Sequence, residues 1–587
     1  MDPIYTVIIA ILAVLAVSGL FVGVTNDAVN FLNSAIGSKA APRRVILIVA
    51  SIGILVGTLT SSGMMEVARN GMFDPGMFSF HEVILLYLSV MFANIILLDL
   101  YNSWGLPTST TVSLIFCLLG AAIAVSTFKI AGSDALSMGD LGEFIHTGRA
   151  FGIVAAILLS VVIALTVGTA VMYVSRLIFS FRYTRALSRY GALWCGASLT
   201  AIIYFALFKG LKGTLSQTAF IHMVENHIIL SLLVCWLVCS LILFFVQRFK
   251  INILRITILG GTFALALAFA GNDLVNFIGV PIAGWDAFRI ARHAGDSAMT
   301  MDALNENVPA NFAFLVGAGV VMILTLWTSR KAMHVTETEL SLASQNDEQE
   351  QREYGSSAFA RAIVRATLNT NHAIERVVPQ RLEAISRRFE VTDIEHTGAP
   401  FDMIRATVNL TTSALLIAMA TSLKLPLSTT YVTFMVAMGS SLADRAWGRE
   451  TAVYRISGVM TVVALAYVIY ANFARFPADV DPDNLFEGRK NSCSLLGALL
   501  GFCVGYTLER KYIRFETKAV WWAQVLKVLG GAALLLAVKQ GLKLLFAAVG
   551  FTWIGTHAIR YFFVVLLAAT VWPLTFRWFA RLGRKQA

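Results

Sequence analysis

Two short polar patterns each occur twice in a chain that is otherwise strongly apolar. The first reads Asn26-Asp27-Ala28-Val29-Asn30-Phe31 and again Asn272-Asp273-Leu274-Val275-Asn276-Phe277. Both copies lie inside apolar runs, where an isolated carboxylate costs several kcal/mol and needs a partner or a purpose. An Asp beside an Asn presents a carboxylate and an amide carbonyl, hard oxygen ligands that suit Na⁺; alternatively the carboxylate takes a proton. The structural alternative is a polar contact between helices, which a duplicated pair fits less well. The second pattern reads Leu106-Pro107-Thr108-Ser109-Thr110-Thr111 and Leu425-Pro426-Leu427-Ser428-Thr429-Thr430. Proline is tolerated at a helix start, and the hydroxyls and first free amides that follow it point one way, a setting that attracts an anion. Neither copy contains Lys or Arg. An anion held only by neutral donors needs cations nearby, and the Asn-Asp pairs supply cation sites. A single Pro-x-Ser-Thr-Thr segment would read as a helix cap; two of them, paired with the Asn-Asp motifs, read as a site.

The surrounding chain must place these residues in a membrane. It has 587 residues, of which 57% are hydrophobic and 14% charged, against about 25% charged in soluble proteins. A mean hydropathy of +0.72 excludes a soluble enzyme, a disordered chain, a coiled coil and a disulfide scaffold, and leaves an all-α polytopic membrane protein. The net charge of +11 does not point to nucleic acid, because membrane proteins concentrate Lys and Arg in cytoplasmic loops. Cys117, Cys195, Cys235, Cys239, Cys493 and Cys503 lie in apolar stretches without paired Cys-x-x-Cys spacing, so neither a metal site nor an oxidised framework is expected. His81, His146 and His222 read as loop residues, and no in-span histidine pairing supports a haem or electron-transfer protein. Residues 1–24 lack a basic leader and read as a retained first span.

About 20 apolar residues cross a bilayer as a helix. Candidate spans lie near 4–24, 43–63, 83–100, 107–128, 150–175, 191–208, 226–246, 256–278, 310–328, 401–423, 427–443, 453–473, 493–508, 525–548 and 558–577. Those opening at Pro107 and Leu427 follow polar turns and read as re-entrant or broken helices. Basic segments at Lys39, Arg43 and Arg44, at Arg176–Arg189 and at Arg248–Arg255 are placed inside. The segment with Glu66, Arg69, Asp74 and Glu82, the mixed-sign stretch 279–309 and the N-terminus are placed outside. Residues 330–400 carry nine Lys/Arg and eleven Asp/Glu. Their helical amphipathicity over Ala358–Asn369 and Ile374–Phe389 reads as a charged cytoplasmic insert, a connector or a docking element.

The motifs recur in one order. Asn26 and Pro107 are 81 positions apart, and Asn272 and Pro426 are 154 apart; the 73-position excess nearly equals the charged insert. The two halves therefore share one spacing. The span carrying Asp27 runs inward and that carrying Asp273 outward, so the expected architecture is two inverted-topology repeats with extra C-terminal spans. The division is 1–255 for the first repeat and connecting spans, 256–329 with 401–473 for the second repeat, 330–400 for the insert, 474–492 for a polar linker and 493–587 for the C-terminal spans.

The duplicated Asn-Asp-x-Val-Asn and Leu-Pro-x-Ser-Thr-Thr motifs resemble those of the PiT family of inorganic phosphate transporters over roughly residues 1–460. That resemblance implies cation-coupled uptake of inorganic phosphate, driven by Na⁺ or H⁺, across a cell (inner or plasma) membrane, with no cofactor beyond the coupling ion. It puts cation or proton coupling on Asn26, Asp27, Asn272 and Asp273. It puts phosphate contacts on Thr108, Ser109, Thr110, Ser428, Thr429 and Thr430. It also implies a homodimer in the lipid bilayer. Sulfate remains an alternative, since hydroxyls and amides bind either tetrahedral anion; a carboxylate that accepts a phosphate O–H would favour phosphate.

The last 95 residues depart from that pattern. Gly501–Glu516, ending Leu508-Glu509-Arg510-Lys511-Tyr512-Ile513-Arg514-Phe515-Glu516, is similar to the C-terminal spans of phosphatidic-acid-phosphatase-like membrane phosphatases. That chemistry requires a Ser-Gly-His element, and no histidine here follows Ser-Gly. A membrane phosphatase is the weaker reading, and no enzymatic activity is expected.

Overall fold

The computed structural model describes residues 2–59, 68, 71–104, 108–133, 140–204, 226–306, 311–332, 336, 399–422, 427–444, 465, 467, 468, 471, 482–508, 521–551 and 553–581. Nearly all of the charged insert, most of the expected span at 453–473, His222 and both prolines of the Leu-Pro turns lie outside the described residues. The chain divides into two compact units, Met1–Asn346 with Pro379–Ala446 and Asp347–Val378 with Trp447–Ala587. Among the described residues, regular structure is helical, and nine helices are long and apolar enough to cross a membrane.

Among its described residues the first unit contains eleven principal helices: α1 (Pro3–Gly37), α2 (Arg43–Leu59), α3 (Phe80–Trp104), α4 (Thr110–Ala131), α5 (Thr147–Ile178), α6 (Thr184–Ile203), α7 (Ile228–Arg248), α8 (Ile253–Ala294), α9 (Phe312–Thr328), α10 (Met403–Ser422) and α11 (Thr429–Ala443). Helix α1 starts on Asp2, whose carboxylate accepts from the Ile4 amide at 3.0 Å, with Pro3 in the first turn. Its first half exposes Ile4, Val7, Ile11, Val14, Val17 and Phe21, whereas Val24–Ala35 is buried throughout. The first Asn-Asp motif thus rides on a lipid-ready helix that plunges into the protein core.

Helix α8 is the centre of the unit and packs against α1, α2, α3, α6 and α10. At 42 residues and 1.5 Å per residue it is about 63 Å long, twice the bilayer core. The sequence places an external segment at 279–309, but the helix continues through Pro281 to Ala294 and ends on Gly295 at φ +73°. Burial explains the continuation: Val280, Pro281, Ile282 and Ala283 are all packed inside, so tertiary contacts outweigh the lost hydrogen bond. Helix α2 lies against α8 through Gly53 and Gly57. A Cβ on Gly53 would stand 2.5 Å from the Phe263 carbonyl oxygen, and one on Gly57 2.8 Å from the Ala270 Cβ. Small residues spaced by four let two backbones approach this closely.

Helix α11 has 15 residues, about 22 Å, and is too short to span the core alone. That agrees with a re-entrant or broken segment at Leu427, whereas α4 is long enough to cross. One end of α11 is fixed by charge. Arg176 on α5, fully buried, donates to both oxygens of Asp444 at 2.7 and 2.9 Å and of Asp402 at 2.7 and 2.9 Å. Its guanidinium also stacks 3.9 Å from the Phe181 ring.

In the second unit, α12 (Pro482–Leu508), α13 (Trp521–Ala548) and α14 (Thr556–Ala569) are the main helices. Helix α12 begins at Pro482, so residues 482–492 of the stretch read from sequence as a linker are helical. Proline is favoured in a first turn, and its presence there marked a helix start rather than a connector. Gly497 and Gly501 place α12 directly on the backbone of α14, beside Ala558 and Phe562.

Candidate functional site

All ten residues read from sequence as site residues lie in the first unit, and the structure links the two Asn-Asp pairs to both Ser-Thr-Thr segments. Asp27 and Asp273 are each fully buried. Asn26 Nδ2 donates to Asp27 at 2.8 Å and to the Thr108 carbonyl at 2.6 Å. Asn272 Nδ2 donates to Asp273 at 3.0 Å and to the Leu427 carbonyl at 3.1 Å. Thr108 and Leu427 occupy the same place in their motifs, and both serve through the main chain. This explains why a polar and an apolar residue interchange there.

Each carboxylate is then held by one hydroxyl from each half of the chain. Asp27 accepts from Thr110 at 2.8 Å and from Thr430 at 3.0 Å. Asp273 accepts from Thr111 at 3.0 Å and also from Thr429. In motif register Thr110 matches Thr429, and Thr111 matches Thr430. The same exchange extends one turn along the motif helices: Asn30 donates to Thr430 at 3.1 Å, and Asn276 donates to Thr111 at 3.0 Å and to Asp273 at 2.9 Å. Thr111, Asn30 and Asn276 were not among the residues selected from sequence. Their signal was present in the second Asn of each motif and in the register that equates Thr111 with Thr430.

Ser109 and Ser428 are the N-caps of α4 and α11, each accepting from the amide three residues on, Val112 and Tyr431, at 3.1 Å. The cap occupies a hydroxyl lone pair, not its proton, so both serines still have a donor to give. Above them lie the first amides of two helices, the arrangement that favours anions.

The electrostatics are lopsided. Two buried carboxylates are served by hydroxyls and amides, and among the described residues no Lys or Arg donates to either. A buried negative pair without cationic partners is costly and calls for bound positive charge. One oxygen is left open for it: Asn272 Oδ1 is buried with no hydrogen-bond partner, whereas its counterpart Asn26 Oδ1 accepts from the Thr108 amide at 3.2 Å. Among the described residues no cluster of three or more His, Cys, Asp or Glu forms a conventional metal centre. A hard monovalent cation fits this oxygen set better than a transition metal.

A helical membrane protein with a buried, two-sided polar centre fed from distant parts of the sequence is the architecture of a transporter rather than an enzyme. A model of the phosphate transporter family, PHO4, matches residues 23–340, more than half of the chain, and the protein belongs to that family. A model of the transmembrane extension of PAP2 superfamily phosphatases matches residues 493–585. No curated protein matches the chain. A solved structure described as the sodium-dependent phosphate transporter aligns with a TM-score of 0.55 at 16% identity, covering 78% of this chain and 96% of that one. It shows the same fold. The protein is therefore a multi-pass membrane protein of phosphate transport.

Proposed function

We propose that the protein is a secondary transporter that takes up inorganic phosphate together with a cation, Na⁺ or H⁺, by alternating access between two inverted repeats. The observation that carries this reading is the exchange of hydroxyls between halves: each carboxylate is bonded by Thr110 or Thr429 of its own half and by Thr430 or Thr111 of the other. Such a crossed arrangement suits a site at a repeat interface.

Coupling follows from the donor inventory. A threonine hydroxyl has one proton to donate. In the structure the protons of Thr110, Thr111, Thr429 and Thr430 are given to Asp27 and Asp273. A cation or proton on a carboxylate satisfies that charge and releases the hydroxyl protons to a tetrahedral anion held by the α4 and α11 amide ends, Ser109 and Ser428. The same oxygens keep lone pairs for the cation. Phosphate without the cation would find its donors taken; the cation without phosphate would leave them unused. Asn26, Asp27, Asn272 and Asp273 are then the coupling residues, and no resident cofactor is needed. Residues 493–587 serve as membrane spans without a phosphatase centre, consistent with the absence of Ser-Gly-His. A homodimer in an inner or plasma membrane, with residues 330–400 on the cytoplasmic side, completes the proposal; mass determination in nanodiscs tests the dimer.

Labelled phosphate uptake into proteoliposomes tests the function. Accumulation driven by an imposed Na⁺ or pH gradient, and abolished by its dissipation, is the expected result. Uptake indifferent to both gradients would overturn coupling, and preference for sulfate in competition would reassign the anion.

A further inference from the structure

Beyond the central site, the first unit buries a second arginine, Arg405, that its neighbours leave short of hydrogen-bond acceptors. Arg405 sits in the first turn of α10 and is 1% exposed. Two carboxylates lie close by, but Arg176 takes both of them with four short bonds. Arg405 is left with neutral acceptors at long range, the Ser440 hydroxyl at 3.3 Å and the Ala437 carbonyl at 3.5 Å. Among the described residues its Nη1 has no hydrogen-bond partner and it forms no ion pair, although the Phe401 ring lies 5.3 Å from the guanidinium and Asp402 and Asp444 attract it from farther off. A buried guanidinium N–H left without an acceptor is costly.

Other buried polar atoms on the same and neighbouring helices are unspent too. Asn409 lies four residues along α10, on the same helix face as Arg405, and its Oδ1 is buried without a partner. Ser441, next to the Ser440 that Arg405 touches, has an unpartnered buried hydroxyl, and Asn33, one turn past Asn30 on α1, has an unpartnered Oδ1. These positions lie on three helices, α1, α10 and α11, that pack on one another and also carry or adjoin the central residues. On α11 the line passes from Thr430 through Thr433, which donates to Asn30 at 3.1 Å, to Ser440 and Ser441. At 1.5 Å per residue, Ser441 is about 16 Å along α11 from Thr430, toward the end that carries Asp444.

We propose that Arg405, with Ser441 and Asn409, forms a second phosphate-binding station between the central hydroxyls and the Arg176–Asp444 end of α11. Arg405 Nη1 and the Ser441 hydroxyl donate to phosphate oxygens, and Asn409 Oδ1 accepts the O–H of a protonated phosphate. Sulfate has no such proton to give, so the station also discriminates between the two anions. Phosphate leaving the central donors, once the cation is lost and the hydroxyls return to Asp27 and Asp273, is caught by a fixed positive charge on α10, beside the far part of α11. The cluster of Arg176, Asp402 and Asp444 holds α5, α10 and α11 together and leaves Arg405 for the anion.

This proposal rests on the phosphate-transport reading, and its test separates the two. Arg405→Gln and Arg405→Lys are compared with the wild type for labelled-phosphate binding in detergent and for initial uptake in proteoliposomes. The expected result is that Arg405→Gln keeps central-site affinity within about twofold while uptake falls at least about tenfold, and that Arg405→Lys restores uptake to within about threefold. In a Ser109→Ala/Ser428→Ala background, the weak residual phosphate binding should vanish on adding Arg405→Gln. Wild-type uptake in Arg405→Gln would overturn the station. So would equal loss of uptake in the Lys and Gln variants at unchanged melting temperature, central affinity lost together with uptake, or residual binding indifferent to Arg405. Wild-type protein that neither binds nor moves phosphate would overturn the function reading itself, and the station with it.

Discussion

Replacing Asp27 with Asn changes one atom and removes one charge from a site built around two. Three donors converge on this carboxylate: Asn26 Nδ2 at 2.8 Å, Thr110 at 2.8 Å and Thr430 at 3.0 Å. An amide keeps one acceptor oxygen and turns an –NH₂ toward groups that were themselves donating. A cation about 4 Å from a carboxylate gains about 4 kcal/mol at the effective dielectric of a protein site. Losing that charge weakens the coupling ion by about a thousandfold, since each 1.4 kcal/mol is about tenfold. The ion-free variant should be no less stable than the wild type, because an uncompensated buried charge has gone. The assay is thermal unfolding in detergent against Na⁺, with choline as control, and against pH. A wild-type protein at 100 times the ion's dissociation constant gains about 2.7 kcal/mol of apparent stability; Asp27→Asn should gain close to nothing at the same concentration. The Asp273→Asn variant should behave alike, and coupled uptake should be lost in both. A variant that keeps the wild-type ion dependence would refute the assignment of the carboxylates to the cation.

Other outcomes are specific to single contacts. Ser109→Ala and Ser428→Ala each remove a cap and an anion donor; phosphate affinity should fall at least about tenfold for each, the scale of about 1.5–3 kcal/mol per hydrogen bond to a charged group, as read by equilibrium dialysis. Thr111→Val and Thr430→Val should both reduce phosphate uptake strongly, whereas Thr108→Val, which acts through its main chain, should stay within about twofold. Asp444→Ala strands one side of Arg176 and should lower unfolding stability by about 3–5 kcal/mol, the cost of breaking a buried ion pair. Deleting residues 335–395 with a flexible bridge should leave phosphate transport largely intact. Removing 493–587 should reduce yield and thermal stability first; a stable tail-less protein that binds phosphate without moving it would give the tail a part in the cycle.

Much of the site was legible because it is duplicated. The two Asn-Asp motifs and the two Ser-Thr-Thr turns appear in one order at nearly one spacing, and the structure brings all four together. The sequence was less informative about which hydroxyl faces which carboxylate. Thr108 and Thr111 look alike in a string, but Thr108 precedes the Ser109 cap and presents its main chain, while Thr111 lies one residue inside α4 and points across to Asp273. That distinction depends on helix phase, which a proline turn resets. Asn30 and Asn276 were visible as the last polar residue of each motif, yet their partners come from the other half. In sequence Arg405 is one basic residue inside the expected span 401–423; the capture of Asp402 and Asp444 by Arg176, from a helix more than 200 positions away, leaves it with neutral acceptors at long range. The stretch 279–309 reads as an external segment, yet the helix runs on through Pro281 to Ala294, because the packing of α8 against α1 and α3 outweighs the local cost.

The central claim is that one set of hydroxyls serves the carboxylates when the cation is absent and phosphate when it is present. Equilibrium binding of labelled phosphate, titrated against the coupling ion in purified protein, tests it most directly. The account predicts that phosphate affinity rises at least about tenfold as the ion saturates, and that phosphate tightens the ion by the same factor, as linkage requires. Phosphate affinity that stays constant from zero to saturating Na⁺, and across the pH range in which the protein remains folded, would contradict it.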